Sequence, residues 1–266
     1  MIRLLIINLF FSYSVFSKEI AQFDSEGMKL KIIQVSKGLG KIWAMDFFDE
    51  TSAIITIRDG QFKFVNLKTG IAQDVNGMPE DFWAGGQGGL LHVKLHPEFK
   101  TNRLIYFTYS SINKDGKKTT SLSRGTFNQK ELKITDFKKI FDVGNPSNKQ
   151  IHFGSRFIFH PDKFLYLTVG DRGDRDNAQQ LSNNLGKVLR LTWEGTIPKD
   201  NPFNSAIWTY GHRNAQGIDY DPKTKKIYTI EHGPRGGDEI NFIEKGKNYG
   251  WPIITYGKEY WGPSIG

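Results

Sequence analysis

Six histidines and no cysteine bound the chemistry open to this 266-residue chain. Without a thiol there is no cysteine nucleophile, thiolate ligand or disulfide, so any metal must be held by oxygen or imidazole. His152 is the strongest general-base candidate, because imidazole is the side chain that titrates nearest neutrality and this one opens a Gly-containing string, His152-Phe153-Gly154-Ser155-Arg156. His96 and His160 stand in His-Pro pairs that Asp221-Pro222 replaces further on, and they read as turn residues. His92 lies within an apolar-alternating run and reads as core, whereas His212 and His232 sit in Gly-rich strings with supporting roles. Asp171 follows a strongly apolar run and precedes a charged loop, so its carboxylate is expected at a strand's mouth. Arg172, Asp174, Arg175 and Asp176 read as a solvated, self-neutralising loop. Arg213-Asn214 offers a planar guanidinium and an amide, donors suited to a carboxylate or a developing oxyanion.

The elements that must position these groups form a repeat. An alternating strand, a turn and a second alternating strand recur at Trp43 to Ile57, His92 to Thr108, Arg156 to Val169 and Gly217 to Ile230, with turns aligned on Asp49, Pro97, Pro161 and Pro222. Further strands fit at Gln61 to Val65 and Val188 to Leu191. A period of roughly 50 to 65 residues with about four strands per unit is that of propeller blades, which bury their faces by stacking radially. A β-sandwich does not explain the same turn chemistry at the same place in each unit. The expected fold is therefore all-β, a β-propeller with about four blades, and 28 Gly, 20 Phe and 10 Tyr agree with many short strands and tight turns.

Met1 to Arg3 followed by the apolar Leu4 to Phe16 reads as a signal peptide over residues 1–17, cleaved after Ser17, with residues 18–266 as a partial propeller domain. Export to the periplasm or medium is expected, and no later run is long enough for a membrane span. A formal charge of +8 spread without a dense basic run argues against nucleic-acid binding. The last residues offer no closing strand pair and no polar tail, so the chain reads as a fragment.

Five strings lie between the repeats: Trp83 to Leu91, His152 to Arg156, Gly170 to Gln179, Tyr210 to Gly217, and Glu231 to Asn241 followed by Asn248 to Pro252. In this order they resemble the soluble glucose and aldose sugar dehydrogenases that use pyrroloquinoline quinone (PQQ), from about Lys37 onward. The resemblance implies a six-bladed propeller that oxidises the C1 hydroxyl of an aldose to the lactone by base-assisted hydride transfer to PQQ. It implies His152 as the base, Asp171 as the group that orients it, and Arg213 as the group that stabilises charge on the reduced quinone. Gln87, His152, Arg213 and Asn214 match the family's cofactor contacts. Calcium is expected against the quinone on the carbonyls of Gly233 and Pro234, and a second, structural calcium on the Glu239 carboxylate and the Tyr249 main-chain oxygen. Expected partners are the aldose and an electron acceptor, a cytochrome or the quinone pool; a monomer and a dimer are both open. The competing readings are a non-catalytic ligand-binding propeller and a calcium-dependent lactone hydrolase. Trp251, Tyr256, Tyr260 and Trp261 read as a cluster that either stacks on a ligand or plugs the gap between blades.

Overall fold

Each strand pair is set by a turn in which one side chain captures the chain as it reverses. The backbone N–H of Thr51 donates to Asp49 Oδ1 at 2.7 Å, that of Glu98 to His96 Nδ1 at 3.0 Å, that of Asp162 to His160 Nδ1 at 3.2 Å and that of Lys223 to Asp221 Oδ1 at 2.9 Å. An acceptor two residues ahead of the N–H is the common device, and aspartate and histidine supply it interchangeably. The His-Pro turns are structural, as their repetition implies.

The computed structural model describes residues 18–265, and the expected export segment at 1–17 lies outside the described residues. The hairpin β1 (Lys18–Ser25) and β2 (Met28–Gln34) pairs only with itself; it precedes the repeat and was not legible in it. A first four-stranded sheet follows, β3 (Ile42–Asp49), β4 (Ser52–Ile57), β5 (Gln61–Asn66) and β6 (Ala72–Val75). The second is β7 (Leu90–Leu95), β8 (Leu104–Ile112), β9 (Lys118–Asn128) and β10 (Lys133–Asp142), and the third is β11 (Phe157–Phe159), β12 (Phe164–Val169), β13 (Lys187–Thr192) and β14 (Ile207–Tyr210). A three-stranded sheet closes the described residues: β15 (Ala215–Asp221), β16 (Lys226–Glu231) and β17 (Glu239–Ile243). All neighbours are antiparallel and consecutive in sequence, the up-and-down order of propeller blades. The four repeat units are the first two strands of the four blades; in the fourth, one further strand is present where the spacing left room for two.

The core lies between blades. Ile54 and Phe62 of the first pack against Leu90, Val93 and Phe107 of the second. Tyr106 and Leu122 pack against Phe157, Leu165 and Leu167 of the third, and Tyr166 and Val188 against Ile218 and Ile227 of the fourth. Strands β4 and β12 are buried along almost their whole length: β12 lies between two neighbouring sheets, whereas β4 has the second blade on one face and Leu39, Leu67 and Ala72 over Ile55 and Ile57 on the other.

A threonine at the same place in each second strand adds a polar link. Thr56 Oγ1 donates to the Leu91 carbonyl at 2.6 Å, and Thr108 Oγ1 to the Ser155 carbonyl at 2.7 Å, each reaching the next blade. Thr168 bonds within its own blade to the Arg156 carbonyl at 3.2 Å. The Thr229 hydroxyl is buried with no partner among the described residues. These bonds carry blade geometry to the loops that hold the site, since Ser155 lies three residues after His152.

Candidate active site

Five loop segments meet at one mouth of the blades. His152 precedes β11, Asp171 follows β12, Arg213 joins β14 to β15, Pro234 joins β16 to β17, and Gln87 precedes β7. With Ile151, Gly173, Arg175, Trp251, Glu259 and Tyr260 they line a cavity of about 310 Å³. Residues as far apart as Gln87 and Arg213 are brought together because every second strand-to-strand connection of a propeller returns to the same face.

His152 is held in an unusual backbone state, with φ of 54°. A non-Gly residue there is strained and persists where neighbours over-determine it. Gln87 is one such neighbour: its Oε1 accepts the His152 N–H at 2.8 Å, while its own N–H donates to the Gln150 carbonyl at 2.8 Å. Gly170 is another, because a Cβ there would lie 2.1 Å from the His152 carbonyl oxygen, so the strand end packs directly beneath the loop.

The His152 ring is fixed by Asp171. Its Nδ1–H donates to Asp171 Oδ1 at 2.7 Å, and the carboxylate is 1% exposed. Asp171 Oδ1 also accepts the Gly173 N–H at 2.6 Å, and Oδ2 accepts the Trp251 indole N–H at 2.8 Å. The Asp171 N–H donates to the Arg213 carbonyl at 2.9 Å. With Nδ1 committed as donor to an anion, the lone pair falls on Nε2, which makes no hydrogen bond within the described residues. That leaves a proton acceptor facing the cavity.

Arg213 shares the cavity. Its Nη1 donates to the His232 carbonyl at 3.2 Å, its Nη2 to the Tyr260 hydroxyl at 3.1 Å, and its guanidinium carbon sits 5.4 Å from the Trp251 ring. A second imidazole–carboxylate pair anchors it from behind: His212 Nδ1–H donates to Glu231 Oε2 at 2.8 Å, Thr209 Oγ1 donates to His212 Nε2 at 2.9 Å, and the Arg213 N–H donates to Glu231 Oε1. His212 is fully buried and stacked on Tyr249, so it supports and does not react. Arg175 grips Glu259 through Nη1 and Nη2, at 2.6 and 3.1 Å, across the cavity edge.

Asn214 is placed next door. Its Oδ1 accepts the Gly154 N–H and the Gln216 side-chain amide, each at 3.1 Å, and it lines a smaller cleft of about 160 Å³ with Gln87, Phe153, Arg58 and His232. Gln87 belongs to both spaces, so the cofactor set expected from sequence occupies two adjoining clefts. The expected metal positions are likewise separate. Pro234 borders the His152 cavity, and no hydrogen bond among the described residues reaches the carbonyl oxygen of Gly233 or Pro234. Glu239 and Tyr249 lie with Asp238 on another cleft of about 470 Å³. Burial raises the Glu239 carboxyl above its ordinary range, with Glu231 adding repulsion and Asn241 opposing both by a hydrogen bond. The Tyr249 hydroxyl is taken up by the Phe242 carbonyl and the Glu244 N–H, so its main-chain oxygen is what it could offer a cation.

Two features depart from the sequence reading. Arg172 is not part of a solvated loop: it is 1% exposed, donates to the carbonyls of Ile151 and Lys149 at 3.0 and 2.5 Å, and lies on the Phe153 ring. Burial pushes its guanidinium down to about 10. The aromatic cluster also divides, for Trp251 and Tyr260 bind Asp171 and Arg213 whereas Tyr256 and Trp261 are almost fully exposed. The placement of Trp251 was not legible, although its Asn248 to Pro252 string lay among the site strings. Lys187 was missed entirely; it is fully buried and donates to the carbonyls of Asn177, Ala178 and Leu185, tying the loop after Asp171 to β13.

Proteins similar to this chain are named as sugar dehydrogenases. The chain is 41% identical over 230 residues to the aldose sugar dehydrogenase YliI of Escherichia coli (strain K12), a match covering 84% of this chain and 62% of that protein. It is 34% identical to quinoprotein glucose dehydrogenase B of Acinetobacter calcoaceticus, covering 96% of this chain and 58% of the relative. Among solved structures, the PQQ-bound form of an aldose sugar dehydrogenase from Streptomyces coelicolor superposes with a TM-score of 0.76 at 28% identity, over 90% of this chain and 66% of that one. The chain thus spans roughly three-fifths of the length of the curated relatives it matches. The model of the glucose/sorbosone dehydrogenase family matches residues 39–266, and the chain belongs to that family.

Proposed function

We propose that the protein oxidises the C1 hydroxyl of an aldose to the lactone, with PQQ bound across the His152 cavity and the adjoining cleft. The observation that carries this reading is the His152–Asp171 hydrogen bond, which leaves Nε2 as a free acceptor in a cavity shared with Arg213. His152 takes the proton of the C1 hydroxyl, and Asp171 stabilises the imidazolium that results. Arg213 is held by His232 and Tyr260 where negative charge develops. Trp251 and Phe153 wall the site with apolar surface, which strengthens both interactions by excluding water.

The donor set fits a planar polyanion: Arg213 as a fixed guanidinium, Gln87 and Asn214 as amides, and flat aromatic walls. When bound, PQQ supplies the acceptor for the hydride leaving C1. Gly233 and Pro234 fit as carbonyl ligands of a calcium ion, which would supply Lewis acidity; Glu239 and the Tyr249 main-chain oxygen fit a separate structural calcium. Among the described residues no three acidic or imidazole side chains converge, so main-chain oxygens must provide much of either shell. The electrons pass onward to a cytochrome or quinone acceptor. The setting we propose is periplasmic or secreted; no helix among the described residues is long and apolar enough to cross a membrane.

The test is reconstitution of the purified protein with PQQ and calcium, followed by dye reduction with glucose and other aldoses. Turnover is expected, and His152→Ala should retain the cofactor while losing at least a hundredfold in rate. Absence of turnover with every aldose would end the dehydrogenase reading.

A further inference from the structure

One of the three donors on Asp171 is neither a backbone amide nor the base it serves. Trp251 is 7% exposed and delivers its indole N–H to Asp171 Oδ2 at 2.8 Å. The other two donors, His152 Nδ1–H and the Gly173 N–H, both use Oδ1. Were the indole absent, the carboxylate would keep a buried oxygen without a donor and would be free to turn about its Cβ–Cγ bond. With it, rotation breaks bonds on both oxygens at once.

The indole is itself fixed at both backbone ends. The Trp251 N–H donates to the Gly211 carbonyl at 3.0 Å, in the loop that carries Arg213, and the Trp251 carbonyl accepts the Gln179 side-chain amide at 2.6 Å, from the 3-10 turn Arg175–Gln179. Its ring lies 5.4 Å from the Arg213 guanidinium carbon and 5.7 Å from that of Arg175. One side chain therefore touches the carboxylate behind the base and the cation that faces it, while bound to the two loops that bear them.

We propose that Trp251 is a positioning residue for proton abstraction: its N–H locks Asp171 with Oδ1 toward His152, and its ring sets the guanidinium of Arg213 opposite. This rests on the dehydrogenase reading of the site. The hydrogen bond acts by holding one rotamer: a carboxylate relieved of it turns about Cβ–Cγ and loses part of its bond to His152 Nδ1–H.

The test compares wild type with Trp251→Phe and with a chain carrying benzothienylalanine at position 251, which keeps the shape of the indole but has sulfur in place of N–H. The first measurement is made without cofactor or sugar. It is the downfield proton resonance of His152 Nδ1–H, assigned by its loss in His152→Ala. The resonance should broaden and move upfield in both variants, as the unlocked carboxylate spends less time on the imidazole. The second is turnover of the reconstituted enzyme, where kcat should fall on the order of tenfold with KM for the aldose little changed. A resonance that stays put or moves downfield, or full kcat in the benzothienyl protein, overturns the proposal. A merely structural tryptophan would lower the melting temperature of the Phe variant and leave both readouts of the isosteric one intact. If wild type itself shows no turnover, the dehydrogenase reading fails on that ground, while the resonance separately decides whether the indole controls Asp171.

Discussion

The guanidinium of Arg172 lies over the ring of Phe153, with its central carbon 3.5 Å from the ring centroid. Both residues adjoin catalytic candidates, Phe153 following His152 and Arg172 following Asp171, so the stack joins the two loops that bear them. Arg172 further closes the carbonyls of Lys149 and Ile151, for which no other donor is present among the described residues. Arg172→Leu should destabilise the protein by about 2 kcal/mol, from two part-buried carbonyls left unpaired and the lost stack. Urea unfolding measures this, and a loss under about 0.5 kcal/mol would show the loops are held by other means.

Asp171→Asn tests the carboxylate with almost no change of shape. Three donors converge on its two oxygens, and an amide has one oxygen to offer them. Whichever way it turns, its NH₂ meets either the indole N–H or the two donors on the other side. The expected result is a kcat lower by more than about a hundredfold with a stability loss of about 2 kcal/mol. Stopped-flow dye reduction and thermal melts on one preparation read both.

Lys187 gives the fold a pH dependence. Burial pushes its ammonium down to about 7, with Asp171 opposing, against an ordinary lysine value of about 10.4 in the unfolded chain. Between those values the unfolded chain holds a proton that the folded protein has released, so this contribution to stability rises with pH and is complete above the upper value. Lys187→Met lacks that rise and leaves the Leu185 carbonyl without a donor among the described residues, while those of Asn177 and Ala178 keep the N–H groups of Gln180 and Gly211. Wild type should be the more stable at pH 7, and its advantage should widen by pH 9.5; parallel curves from denaturant melts at the two pH values would contradict the assignment.

Glu239 bears on the second calcium. Its carboxylate is half-buried with a raised pKa from burial first and Glu231 second, so its charge opposes folding above the ordinary carboxylate range when no cation is near. Glu239→Gln should therefore match or exceed the melting temperature of wild type in chelator. In millimolar calcium wild type should gain several degrees and the variant much less. An equal calcium response would place the ion elsewhere.

The blades were legible because their signal is local: alternation, a turn acceptor at Asp49, His96, His160 or Asp221, and repetition. The pairing of His152 with Asp171 was reachable through resemblance, since nothing in the stretch of chain between them, a separation of 19 in sequence, states that two loops meet. Arg172, Lys187 and Trp251 were misread or missed for a shared reason. Each is a polar-bearing side chain whose partners are carbonyls or a carboxylate brought in by folding, and sequence gives the charge of such a group without its neighbours. The hairpin β1–β2 escaped because it lies outside the repeat that made the other strands readable.

The hydroxyl of Thr108 sits in the second blade, yet the carbonyl it holds belongs to Ser155, three residues past the imidazole. Replacing that threonine by valine would remove no wall of the cavity and no charge. It would unfasten a seam, and slack between two sheets would surface as a wandering base, so a survey of rate-lowering substitutions should find hits along the joints of the ring as well as around its mouth.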